Sequence, residues 1–157
     1  MKISDFLCRE AVTNDLKAAT KSDIIPEMVG LLIESGTLEK KHKAKVIEVL
    51  MAREALGSTA IGQGIAIPHG KSETTDQLIA ALAISKKGVH FDSLDGEPSY
   101  IFFLLIAPID SAGPHLKVLA KVSRLLKDKF FRESLKSAKS AKDILDLISQ
   151  EESRIGS

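Results

Sequence analysis

The chain has 157 residues with 44% apolar content, enough for one domain with its own core and too short for two ordinary ones. Its 22 Lys and Arg against 21 Asp and Glu leave a net charge of +1, so no global field recruits nucleic acid or an anionic membrane surface. The single Cys8 excludes an internal disulfide and argues against a cysteine-based zinc site.

The start, Met1-Lys-Ile-Ser-Asp5, lacks the basic-then-apolar profile of a signal peptide, and no apolar run reaches the roughly 18 residues that span a bilayer. The expected address is the cytoplasm, with no membrane insertion. Residues 1–20 carry short apolar clusters, Ile3/Phe6/Leu7 and Val12 to Leu16, which predict one helical turn followed by an edge strand. From Ser22 the period becomes helical: Ile25, Met28, Val29, Leu32 and Ile33 recur at three and four, Pro26 falls in the first turn, and Gly36 is the stop. Residues 39–56 predict a second helix, with Val46, Ile47, Leu50 and Leu56 inward and Lys40, Lys41, Lys43 and Lys45 on the solvated side. Neutral overall charge and the lack of interleaved aromatics argue against a nucleic-acid surface there.

The second helix brings Arg53 and Glu54 to the stretch Gly57-Ser-Thr-Ala-Ile-Gly62-Gln-Gly64-Ile-Ala-Ile-Pro68-His69-Gly70. Gly57, Gly62 and Gly64 give a backbone that can approach a ligand closely, and they lead into a short apolar strand that ends at Pro68-His69. Pro68 pushes Ile67 into the extended region, and Gly70 leaves room above the ring. An imidazole displayed at a mouth in this way suits a nucleophile or a ligand. Two phosphate motifs are excluded. Gly70-Lys71-Ser72 has Ile65 where the first glycine of a P-loop belongs, and Gly62-Gln63-Gly64 has Ile67 where the third glycine of a dinucleotide fingerprint belongs.

Leu78 to Ile84 reads as a strand buried on both faces, followed by turns at Lys86-Lys87-Gly88 and Asp95-Gly96. Tyr100 to Ala107 reads as a second such strand, ended by Pro108. Pro114 opens a helix with His115 in its first turn and Leu116, Leu119, Ala120 and Leu126 as its buried stripe. Phe130, Phe131 and Leu135 continue it. Ser140 and Asp143 cap a final helix carrying Ile144, Leu147 and Ile148. The predicted fold is a single α/β domain over residues 1–150, a three-layer α/β/α sandwich with helices on both faces of the sheet, and residues 151–157 are expected to fray.

Among the four histidines, His69 carries the chemistry, and His115 reads equally well as a polar residue at a helix start. His42 belongs to a charged face and His90 lies beside a turn, so neither is assigned a role. No two histidines stand at i and i+4, so no metal site is expected; zinc held by His69, His115 and a carboxylate is the weaker alternative. Arg53 is accounted for by the helix dipole alone, unless His69 holds an anion that needs a fork of donors.

Glu54, followed after six residues by Ile61-Gly62-Gln63-Gly64-Ile65-Ala66-Ile67-Pro68-His69-Gly70, resembles the signature of the type-2 IIA domains of the bacterial phosphoenolpyruvate-dependent sugar phosphotransferase system (PTS). These are the fructose, mannitol and nitrogen-regulatory group. The resemblance extends to Arg53, to Phe91-Asp-Ser-Leu-Asp-Gly96, and to His115-Leu-Lys-Val-Leu-Ala with Ser123-Arg-Leu-Leu. It implies a mixed sheet between helical layers. By the same resemblance, the ε nitrogen of His69 accepts a phosphoryl group from an HPr-type carrier and passes it to a IIB domain or serves a regulatory target. Arg53 would neutralise phosphate oxygens, Gly62 and Gly64 would form an anion nest, His115 would face the phosphate across the pocket, and no cofactor or metal is needed. Gln63 stands where asparagine, or an acid in mannitol proteins, is usual, which fits the fructose or nitrogen-regulatory branches better. A chain with no IIB or IIC segment leans toward the regulatory role.

Overall fold

The computed structural model describes residues 1–156. A single 3-10 turn over Ile3–Asp5 leads into strand β1 (Leu7–Thr13), and two helices follow, α1 (Lys21–Glu34) and α2 (Lys43–Ala55), the latter entered through a second 3-10 turn. Three short strands come next, β2 (Ala60–Gly62), β3 (Ile65–Ala66) and β4 (His69–Lys71), and then two long ones, β5 (Ile79–Val89) and β6 (Ser99–Ala107). Helices α3 (Ala112–Leu125), α4 (Lys129–Ser137) and α5 (Ala141–Ile155) complete the chain.

The six strands form one mixed sheet in the order β1-β5-β6-β3-β2, with β4 also paired to β6. β5 and β6 run antiparallel at its centre, while β1, β3 and β4 pair in parallel. Strand geometry sends alternate side chains to opposite faces, and the two central strands use both. Leu82, Ile84, Ile101, Phe103 and Leu105 join Val118, Val122, Leu135 and Ile144 on the α3/α4/α5 side. Ala81, Ala83, Phe102, Leu104 and Ile106 join Ile25, Met28, Leu32, Val46 and Leu50 on the α1/α2 side. The three-layer sandwich is therefore two cores separated by a sheet.

Four local readings change. The segment Lys86-Lys87-Gly88 is not a turn: β5 runs through it with a shift of register against β6 between Ile84 and Val89, where Gly88 takes a φ of +80°. The buried stripe of α3 is Val118, Val122 and Leu125, followed by Leu126, and Leu116 is instead 68% exposed. Phe130 points to solvent, while Phe131 and Leu135 fill the core position expected of that segment. Residues 151–155 do not fray, because Glu151 and Glu152 are buried in the last turns of α5 and the Glu152 carboxylate accepts the backbone N–H of Ile3 at 2.7 Å. Ser157 lies outside the described residues. The caps at Ser140 and Asp143 are as expected, the Ser140 hydroxyl accepting the Asp143 N–H at 3.1 Å.

Glu152→Ala should lower unfolding stability by about 1–3 kcal/mol, the cost of leaving the buried Ile3 amide without its acceptor. Urea unfolding checks this, and a change near zero would return the end of α5 to the frayed reading.

Candidate active site

His69 opens β4 instead of closing the strand before it. Pro68 has no N–H to give a ladder, so β3 stops at Ala66 and the chain resumes pairing with β6 at His69, opposite Leu105. The Ile67 main chain faces away from β6, its N–H meeting the Thr59 carbonyl at 3.0 Å, and His69 Nδ1 lies 2.7 Å from its carbonyl. A carbonyl only accepts, so Nδ1 carries the proton and the neutral ring keeps its lone pair on Nε2.

Among the described residues β4 has β6 on one side and no strand on the other, and residues of α2 and α3 meet beside it. α2 comes close because position 70 is glycine: a Cβ there would lie 3.0 Å from Val49 Cγ1. α3 closes the other side with His115, which is 6% exposed and whose ring centroid is 5.4 Å from that of His69 at an interplanar angle of 68°. The two imidazoles meet edge to face. The cleft between the helices, about 520 Å³, is lined by Val49, Arg53, Leu56, Leu116 and Leu119 besides the two histidines and Lys71. Leu56, expected on the buried face of α2, is 85% exposed and stands with Leu116 at its apolar rim.

Burial is the largest influence on His69 and pushes its pKa below the ordinary 6.5; the Ile67 carbonyl opposes it, and the Arg53 charge adds to it. His115 is lowered for the same first reason, with the charges of His69 and Lys71 contributing. His115 Nδ1 has no hydrogen-bond partner among the described residues. At neutral pH both rings are uncharged, one with a lone pair directed away from the backbone and the other with a buried polar atom unmatched. Arg53 donates from Nη1 to the Gly57 carbonyl at 2.7 Å, capping its own helix end and leaving its other N–H groups for an anion.

The structure thus brings together His69, His115 and Arg53, and it separates Gly62 and Gly64 from them. The glycines form the β2–β3 turn with φ of +94° and +79°, and Ile65 pairs opposite Ile101 whereas His69 pairs opposite Leu105. Four residues of strand put the turn about 13 Å from the ring. The turn does hold an anion, but the protein's own: the Asp95 carboxylate accepts the Gln63 N–H at 3.0 Å. Lys71 is a cleft residue that the sequence reading missed, although its place two residues after His69 on a strand was a usable signal. Among the described residues, no group of three His, Cys, Asp or Glu side chains comes together to share a metal ion.

An imidazole whose Nδ1 is held by a backbone carbonyl, at the edge of a mixed α/β/α sandwich with a second imidazole and a guanidinium around one cleft, is an arrangement able to receive an anionic group. The chain belongs to the family described as phosphoenolpyruvate-dependent sugar phosphotransferase system, EIIA 2, whose profile matches residues 5–151. It is 35% identical to a nitrogen regulatory protein of Bradyrhizobium diazoefficiens over 94% of this chain and 95% of that one. It is also 35% identical to the fructose-specific EIIABC component of Bacillus subtilis, over 96% of this chain but 23% of that longer protein. The crystal structure of the nitrogen regulatory protein IIA-Ntr from Neisseria meningitidis superposes with a TM-score of 0.84 at 35% identity, covering 93% of this chain and 98% of that one.

Two outcomes follow from the geometry. Because burial lowers the proton affinity of both rings, the unfolded chain binds more protons than the folded one below pH 6.5. Stability should therefore fall as acid is added from pH 6.5 down through the lowered values, and these rings should add no pH dependence above it. Ring-proton NMR titrations beside urea unfolding at several pH values check this, and midpoints at or above 6.5 for His69 and His115 would contradict it. Arg53→Ala should leave the fold intact and slow phosphoryl acceptance by about 2–4 kcal/mol in barrier, measured as an initial labelling rate. An unchanged rate would reduce Arg53 to a helix cap.

Proposed function

We propose that the protein is a histidine phosphocarrier: His69 Nε2 takes a phosphoryl group from the phosphohistidine of an HPr-type carrier and hands it to a IIB domain of fructose-like type. The observation that carries this reading is the 2.7 Å bond from His69 Nδ1–H to the Ile67 carbonyl, because it leaves Nε2 as the nucleophilic nitrogen facing the cleft. In the transfer, the Nε2 lone pair forms the new N–P bond as the donor's N–P bond breaks, and the donor imidazole leaves with the electron pair. The His69 ring becomes cationic and keeps its Nδ1 proton. Arg53 neutralises phosphate oxygens, and His115 hydrogen-bonds to them from across the cleft.

The second reading is a nitrogen-regulatory domain, in which the same phosphorylation is read by a target protein. It is favoured by the similarity to nitrogen regulatory proteins over nearly the whole length of both chains. Both readings share the first step.

Incubation with phosphoenolpyruvate, enzyme I and HPr should place an acid-labile phosphate on the chain, and His69→Ala should abolish it. Label that persists in His69→Ala would refute the assignment. Phosphoryl transfer to a purified fructose-type IIB domain then separates the readings, since a purely regulatory domain fails that step.

A further inference from the structure

Glu54 sits in the last turn of α2 and is 6% exposed. A carboxylate buried to that extent is costly unless its oxygens are matched. The two oxygens accept the Thr59 N–H at 3.3 and 3.2 Å, one of them also accepts the Thr59 hydroxyl, and Lys21 Nζ lies at 3.0 Å. A clamp between a helix end and a loop accounts for these bonds. It does not account for what lies beyond them. The Thr59 carbonyl accepts the Ile67 N–H at 3.0 Å, and the Ile67 carbonyl faces His69 Nδ1 at 2.7 Å.

The bonds link the ring to the carboxylate through the main chain of Ile67 and Thr59: Glu54 anchors Thr59, Thr59 anchors the Ile67 N–H, and Ile67 offers its carbonyl to the ring. What passes along them is position, which sets the Ile67 carbonyl against Nδ1, while the Glu54 charge acts on the ring through space and favours its protonated form. The Thr59 loop also includes Gly57, whose carbonyl receives Arg53 Nη1. One buried carboxylate therefore anchors the loop that holds both Ile67 and the seat of the guanidinium.

We propose that Glu54 and Thr59 are positioning residues for the reaction at His69: acting through Ile67, they fix Nδ1 as the protonated nitrogen and so present Nε2 to the cleft. The inference rests on the phosphocarrier reading for its purpose, though not for its geometry. When Nε2 gains phosphorus, the ring becomes cationic with its proton still on Nδ1, and the Glu54 charge compensates it through space. Glu54→Gln keeps the shape and one acceptor but removes the charge. Thr59→Val removes the hydroxyl clasp, and Thr59→Ser retains it.

The test uses the full-length, isotope-labelled chain. Long-range proton–nitrogen correlation spectra of the ring report the tautomer of His69, and reaction with phosphoramidate, which needs no carrier protein, reports the reactivity of Nε2. In the unsubstituted chain the Nδ1-protonated form should dominate. In Glu54→Gln and Thr59→Val the ring should become a mixture of tautomers and react on the order of ten-fold more slowly, while Thr59→Ser restores both readouts. Folded Glu54→Gln and Thr59→Val proteins with an unchanged tautomer and rate would overturn the proposal. If neither variant folds, the unsubstituted chain decides, since an Nε2-protonated ring there is equally fatal. A locked tautomer that responds to Glu54→Gln, in a chain that takes no phosphate from HPr, would uphold this inference while removing the phosphocarrier reading.

Discussion

The site depends on one hydrogen bond, from His69 Nδ1–H to the carbonyl of Ile67. Two neighbouring residues make it possible. Pro68 cannot donate to β6, so it breaks the run between β3 and β4, and the carbonyl before it, on the side away from β6, meets the ring instead of another strand. Gly70 lets α2 lie against the strand just after the break, which sets the ring between two helical layers instead of above an open edge. The proline and glycine around the histidine are thus geometric requirements of a ring that must be aimed and partly covered at once.

Electrostatics at the cleft follow from that placement. Burial and the surrounding cations hold His69 and His115 neutral, which preserves a lone pair for bond formation but leaves the cleft with an excess of positive charge from Arg53 and Lys71. An anionic group entering between the rings meets donors on several sides, and an uncharged one meets only an apolar rim of Leu56 and Leu116. The family relationship agrees with this chemistry, and the chain is equally similar, at 35% identity, to a relative named for nitrogen regulation and to one named for fructose.

Much of the fold was legible because burial on both faces writes itself as continuous apolar runs, seen in Leu78–Ile84 and Tyr100–Ala107, and because amphipathic helices repeat at three and four. His69, His115 and Arg53 could be named together from the motif. The misreadings have physical causes. Periodicity cannot tell an inward leucine from one on the rim of a binding cleft, so Leu56 and Leu116 were assigned to the core. Lys86-Lys87-Gly88 looks like a turn by composition, yet a single glycine at positive φ let β5 absorb it as an irregularity. The Gly62–Gly64 turn had the right conformation for an anion, but local sequence could not say that Asp95 would reach it first.

The bond between the Ile3 amide and Glu152 ties the beginning of the chain to its last helix. That junction lies beside Lys121 and Arg124, roughly two turns along α3 from His115. Lys2 and Gly156 line one patch, which shares no residue with the lining of the cleft. The unit can therefore be carried within longer proteins, or tethered for single-molecule pulling, without its attachment points obstructing the cleft.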